Sequence, residues 1–251
     1  VSEVDGTYAN LGAGILLRQD PHGPAEIYVD GTVRFRFMDR VYLPTTTDRL
    51  SIEQIQVINR FREFEIAAGP GLAYRNRLRS LVKGVVSAVG EGGLLEIGCG
   101  KFPLSAEVPS RIYQGVEVDD EAIAENRRRG ILCTRDVDVE PAVVRQCDLC
   151  VALFVFHFHV TEATLDLVAG GLPACAVVIF NVVSRQPEIR TRVALELVGR
   201  GLWLGSLDLS GLGACDTMYF ASREAGVARA LAARRSAETL LLSPPAGNWL
   251  S

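Results

Sequence analysis

The chain has 251 residues, 48% of them hydrophobic, with 26 Lys and Arg against 30 Asp and Glu for a formal charge of −4. Such a composition excludes a disordered chain, suffices for one large core with or without a small accessory domain, and lacks the basic footprint that phosphate-backbone binding requires. The opening VSEVDGTYAN has neither a basic nor an apolar targeting region and no apolar run reaches the ~18 residues of a membrane span, so a cytoplasmic protein without membrane or nucleic-acid partners is expected.

Taken in order, GILLRQ, AEIYVD and TVRFRFM read as strands of a small β-meander over about residues 13–43, with Asp30-Gly31 as a two-residue hairpin turn. Ser51 and Gln54 have the spacing of a capping box for the helix IEQIQVINRFREFEIAA, whose Ile52, Ile55, Ile58 and Phe61 recur on one face. Pro70 opens a second helix, GLAYRNRLRSLVKGVVSAV, that stops at Gly90. The expected organisation is a β-meander extension over 1–45, a helical cap or lid over 46–90, and an α/β domain over 91–251.

From Gly92 the rhythm changes. LLEIG, RIYQGVEVD, ILCTRDVD, DLCVALFVF and ACAVVIFNVV are apolar strands, and the helical segments DEAIAENRRRG, PAVVRQ, TEATLDLVAGG and PEIRTRVALELVGRG alternate with them. Continuous apolar strands alternating with helices predict a parallel sheet covered on both faces. WLGSLDLS, ACDTMYFAS and ETLLLS are read as strands closing one edge, with the helix REAGVARALAARRS between them. The six cysteines lie mostly in strand-like runs and read as reduced thiols. Cys147 and Cys150 form a C-x-x-C, but in a strand those positions face opposite sides, which argues against a metal or redox pair.

In an open α/β sheet, ligands bind beyond the carboxyl ends of the strands where strand order reverses, and the loop after the first strand is the usual place. Here that loop carries Gly98 and Gly100. A dinucleotide would want further glycines, but the sixth position is Pro103 and no Walker-type motif occurs. Glu117, at the end of the second strand, is placed to accept hydrogen bonds from two vicinal ribose hydroxyls. The residues therefore suggest a nucleoside without a pyrophosphate. The plainer alternative is that the glycines only end a strand in a tight turn and Glu117 is a solvated carboxylate.

With LLEIGCG as the glycine motif, GVEVDDEAI as the second-strand acidic motif, RDVD near the adenine and CDLCVALFVFHFH as the fourth strand, the sequence resembles the class I S-adenosylmethionine-dependent methyltransferases over about Gly92 to Arg223. The resemblance implies a Rossmann-like, mostly parallel seven-stranded sheet with helices on both faces, and S-adenosyl-L-methionine (SAM) as cofactor. By position, Gly98 and Gly100 would let the backbone approach the methionine and ribose, and Glu96 would lie beneath that turn. Glu117 would hold the ribose hydroxyls, Asp136 would lie near the adenine amino group with Asp138 able to take its place, and Val137 would pack on the ring. Phe102 departs from the pattern, since many members have a third glycine there. Asp148, at the far end of the fourth strand, is expected to be structural.

An oxygen nucleophile needs proton removal, and His157 and His159 follow the fourth strand where the family places groups near the methyl; either could instead only bond a carbonyl. The segment FVFHFHV lacks the Asn-Pro-Pro-Tyr-like motif of nucleobase N-methyltransferases. Phe156 and Asn181 stand where the metal-dependent catechol type has carboxylates, so no metal is expected. What remains is a small-molecule acceptor, O- or N-methylated, plausibly in natural-product biosynthesis, with Tyr42, Arg49, Phe61, Phe64 and Tyr74 available to the lid and room for a homodimer. The rivals are an aminopropyltransferase-like relative and a catalytically inactive cofactor-binding subunit supporting a partner.

Overall fold

A computed structural model describes residues 7–19, 26–36, 51–54, 56–58, 60, 71–90, 92–108, 110–156, 160–183, 187–212 and 216–242. The chain begins with four antiparallel strands in simple order: β1 (Thr7–Gly12), β2 (Ile15–Gln19), β3 (Glu26–Val29) and β4 (Thr32–Arg36). The Asp30-Gly31 turn forms as expected, with φ of 50° and 78° between paired Val29 and Thr32. Strand β1 carries no clear signal in the sequence, because the turn that pairs it with β2 places Ala13 at φ 51°, a conformation alanine rarely signals. Alternation buries Ile15, Leu17, Ile27 and Val29 on one face. Ser51 and Gln54 close the capping box reciprocally, Gln54 N–H to Ser51 Oγ at 3.1 Å and Ser51 N–H to Gln54 Oε1 at 3.0 Å, and helical backbone follows at 52–54, 56–58 and 60. Gln54 also donates to the Ala13 carbonyl and to Asp30 Oδ2, tying that helical segment to both hairpin turns.

The helix α1 (Gly71–Val89) ends at Gly90, whose φ is 121°. Then come β5 (Gly93–Ile97), β6 (Tyr113–Val116), α2 (Asp120–Arg128), β7 (Cys133–Thr134), α3 (Pro141–Val144), β8 (Cys147–Ala152), α4 (Glu162–Asp166), β9 (Val177–Val183), α5 (Pro187–Val198), β10 (Trp203–Asp208), β11 (Asp216–Ser222) and α6 (Val227–Leu242). The seven strands β5 to β11 make one sheet in the order β10-β11-β9-β8-β5-β6-β7, parallel except for β11, which is antiparallel to both its neighbours. Strand order therefore reverses on either side of β5.

Alternate residues of the central strands feed two cores. Leu94, Leu149, Val151, Val177 and Ile179 pack with α1 and α6 on one face; Leu95, Cys150, Ala152, Val178 and Phe180 pack with α4 and α5 on the other. Two expectations are corrected. ILCTRDVD yields only the two-residue β7, followed by a 3₁₀ turn at Asp136–Asp138. The described part of ETLLLS, residues 238–242, is no strand but the last turns of α6, because Ala230, Ala233 and Ala237 form a small-residue face whose helix lies against α1 so closely that a Cβ at Gly84 would come within 2.7 Å of Leu240. None of the described helices is long and apolar enough to cross a membrane.

Candidate functional site

The loop leaving β5 folds over the end of β6: Gly98 N–H and Cys99 N–H both reach the Val116 carbonyl, at 2.7 and 3.3 Å. Gly98 has φ 68° and Gly100 φ 57°, the left-handed region where a side chain is strained. The two glycines differ in what surrounds them. A Cβ at Gly98 would come within 2.4 Å of Val155 Cγ2, so the space beside it is filled by the segment after β8, whereas a Cβ at Gly100 would meet nothing within 4 Å. The open approach to the turn is thus at Gly100. Asn126 of α2 donates to the Gly100 carbonyl at 2.7 Å, and Arg129 to the Lys101 carbonyl at 2.6 Å. Phe102 is 61% exposed beside them.

Glu96 lies beneath this turn, as its place in the sequence implies. Its Oε2 accepts from the Leu104 N–H and the Tyr113 hydroxyl, both at 2.7 Å, which fixes the far end of the loop. Burial pushes its carboxyl up to about 7 from an ordinary 4.5, although those two hydrogen bonds and nearby Arg79 pull the other way.

Glu117 follows β6 directly and is 5% exposed. Its Oε2 accepts from Gly100 N–H at 2.8 Å, and its Oε1 from Val118 and Asp119 N–H at 2.7 and 3.1 Å. Burial raises its pKa against the pull of those three N–H groups. The carboxylate thus bridges the glycine turn and the start of α2, where Asp119 caps the helix by accepting from Glu121 N–H. Three of its roughly four acceptor positions are in use, so a ligand with two vicinal hydroxyls would share or displace the Gly100 contact.

Asp136, 9% exposed, turns its carboxylate inward. Oδ2 accepts from the Thr161 and Thr164 hydroxyls, and Oδ1 from its own neighbour Val137 N–H at 2.9 Å. Thr161 is also the N-cap of α4, so one carboxylate joins the turn after β7 to the helix after β8. Val137 is 71% exposed and presents bare apolar surface. Gly100 and Glu117 are thus joined directly, Gly98 is tied to the Val116 carbonyl just before Glu117, and Glu96 anchors the far end of the same loop through Leu104, while Asp136 is held by two threonines that no sequence motif indicates. His157 and His159 lie outside the described residues, as do Tyr42, Arg49, Phe61 and Phe64.

At the end of β8, Phe154 adopts φ 60°, an uncommon conformation for a bulky residue. Its N–H donates at 2.8 Å to Oδ1 of Asn181, which is fully buried on β9. The Phe154 ring meets Tyr74 of α1 edge to face at 6.1 Å, and Phe156 meets Phe180 at 5.0 Å. Asn181, where a metal-dependent site would want a carboxylate, thus serves the backbone. Among the described residues no group of three His, Cys, Asp or Glu gathers to hold a metal ion. The amino-terminal layer reaches the site as well: Gln56 donates to the Val118 carbonyl at 2.8 Å, one residue beyond Glu117.

No protein-family model matches the sequence, and no curated protein does. Solved structures do match. A magnesium protoporphyrin IX methyltransferase from Synechocystis PCC 6803 with bound SAM aligns at 14% identity and a TM-score of 0.50, over 71% of this chain and 100% of that one. The N-methyltransferase NodS from Bradyrhizobium japonicum WM9, in complex with S-adenosyl-L-homocysteine, aligns at 15% identity and 0.49, over 64% of this chain and 91% of that one. The methyltransferase domain of bacterial CtHen1-C aligns at 14% identity and 0.47, over 60% and 98%. The chain has the Rossmann-like fold of the class I SAM-dependent methyltransferases.

Proposed function

We propose that this protein is a SAM-dependent methyltransferase acting on a small organic acceptor. The observation that carries the reading is the juxtaposition of a positive-φ glycine turn, open at Gly100, with the buried carboxylate of Glu117, 2.8 Å from the Gly100 nitrogen, at the strand-order reversal of the sheet. These residues fit SAM: Gly98 and Gly100 admit the methionine and ribose portions, Glu117 accepts from the ribose hydroxyls, and the exposed Val137 offers an apolar face to the adenine, with Asp136 behind it. When bound, the sulfonium supplies an electrophilic methyl group. The protein's part is to orient the acceptor and match the loss of positive charge.

Tyr74 and the strained Phe154 meet edge to face just after β8, and an apolar or aromatic acceptor is the class that suits this neighbourhood. Residues 1–90 act as extension and cap over a domain at 91–251, and Gln56 is the contact that supports this. His157 is the general base for a hydroxyl acceptor, with His159 secondary. A tailoring step in natural-product biosynthesis is the role this combination favours.

Calorimetry with SAM and S-adenosylhomocysteine tests the cofactor, and Glu117→Ala should weaken binding by about 1.5–3 kcal/mol. Unchanged affinity removes Glu117 from the site. A panel of candidate acceptors, read by mass spectrometry for the gain of one methyl, tests the activity; binding without any transfer would favour the inactive-subunit alternative.

A further inference from the structure

We propose that Cys99 and Cys133 form an oxidative modification site: a peroxide couples them into a disulfide that ties the glycine turn to β7 and weakens nucleoside binding. The second half rests on the methyltransferase reading; the first does not.

The two sulfurs are 3.5 Å apart, and both side chains are buried, at 2% and 0% exposure. Cys99 stands between Gly98 and Gly100, and Cys133 opens β7, two strands away from β5. What lets them meet is Gly115 on β6, which pairs with Cys133 in the sheet. A Cβ at Gly115 would lie 3.0 Å from Cys99 Sγ and 3.1 Å from the Tyr113 hydroxyl, so the absent side chain leaves the gap through which the thiols touch. Coupling requires the sulfurs to close by about 1.5 Å, to the ~2.05 Å of a disulfide. Because Cys99 shares its backbone with the turn, that closure shifts Gly98 and Gly100.

The pair is chemically differentiated. The Cys99 contact, Asn126 and the Arg127 charge pull the Cys133 thiol downward despite its burial, whereas Cys99 is pushed up. Buried thiols are usually inert, so peroxide must reach this pair through local opening of the turn, whose open side is at Gly100, where an added Cβ would meet nothing within 4 Å. The Cys133 thiolate attacks one peroxide oxygen, the O–O bond breaks, and the departing hydroxide is protonated to water, leaving a sulfenic acid. The Cys99 sulfur then attacks the sulfenic sulfur, the S–O bond breaks, and hydroxide leaves with the thiol proton as a second water. Two thiols lose two electrons to one peroxide.

Linkage fixes the reciprocal effect. If oxidation weakens S-adenosylhomocysteine binding, the bound ligand must oppose oxidation by the same factor. The test is hydrogen peroxide treatment of the full chain, with peptide mapping by mass spectrometry and calorimetric titration of S-adenosylhomocysteine. The expected result is a mapped Cys99–Cys133 cross-link, an affinity lowered about tenfold, within the ~5–150-fold range of coupled sites, and recovery with dithiothreitol. Cys133→Ser, and Cys99→Ala as a second variant, should make the affinity insensitive to peroxide. Oxidation of the exposed Cys175 with Cys99 and Cys133 left reduced would overturn the proposal, as would a cross-link that leaves affinity unchanged. A reduced chain that does not bind S-adenosylhomocysteine would instead defeat the methyltransferase reading, and the mapped cross-link would still decide the modification site.

Discussion

The two ends of β5 both carry a pair of glycines, and the pairs differ in what requires them. At the amino end, a Cβ on Gly92 would lie 1.7 Å from Asp148 Oδ1 and one on Gly93 2.3 Å from the Gln146 carbonyl, at ordinary backbone angles. Those glycines let protein pack against protein. Asp148, which needs the space, is paired with Arg229 of α6 at 2.5 Å, and the same guanidinium reaches the Val89 carbonyl at the end of α1. At the carboxyl end, Gly98 and Gly100 are both required by positive φ; Gly98 is also packed, against Val155, whereas a Cβ at Gly100 would meet nothing within 4 Å. Strain and buried charge are concentrated there, in Phe154, Glu96 and Glu117. One end of the sheet is packed for stability; the other is the end that the proposed function gives to a ligand.

The most severe way to break this division is Gly98→Val. A branched side chain at φ 68° would drive into Val155, and nucleoside binding should fall below detection in calorimetry while the circular dichroism spectrum keeps its shape. Normal binding by that variant would mean the conformation of the turn does not matter to the ligand.

Glu96→Gln sharpens the contrast through pH. The carboxyl is held near 7 in the folded chain and near 4.5 unfolded, so between those values the folded state binds the extra proton. Its contribution to stability is therefore greatest at or below about 4.5 and declines as pH rises to about 7, on the order of 3 kcal/mol in all. Urea unfolding should show this slope in the wild type and its loss in Glu96→Gln, with the variant relatively more stable at pH above 7. An identical slope in both proteins would contradict the assignment.

For a hydroxyl acceptor, His157→Ala should lower kcat by roughly 10²-fold with cofactor affinity retained, and the ascending limb of the kcat/KM pH profile should flatten. His159→Ala should do less. Full activity in both would leave catalysis to positioning alone.

Arg229→Ala is the smallest effect and the control from the other end. The pair is only partly buried, with side chains 26% and 28% exposed, so its loss should lower stability by about 1–2 kcal/mol and leave nucleoside affinity unchanged. A change in affinity would show that the two ends are coupled.

Much of this architecture is legible in local pattern. The capping box at Ser51, the turn at Asp30-Gly31, the stop at Gly90 and the alternation of strands and helices after Gly92 are each written within a few residues, because caps, turns and hydrophobic periodicity are short-range effects. Where the sequence misled, a distant partner decided. ETLLLS has the apolar run of a strand, yet its residues 238–242 are helical because α1 offers Gly84 to Leu240. The threonines that hold the Asp136 carboxylate, Thr161 and Thr164, some 25 and 28 residues on, are likewise not legible in the motif around it.

By itself, then, the sequence determined the alternation of strands and helices from Gly92 to α5, the glycine turn, and the acidic residue that closes the second strand. Only the tertiary structure decided that Glu117 would bridge Gly100 to α2, that Asn181 would hold Phe154 in a strained conformation, and that Cys99 and Cys133, 34 residues apart, would touch across the gap at Gly115. The physical reason is that a motif constrains backbone geometry, whereas the partners of a buried polar or sulfur atom are set by which strands the sheet makes neighbours.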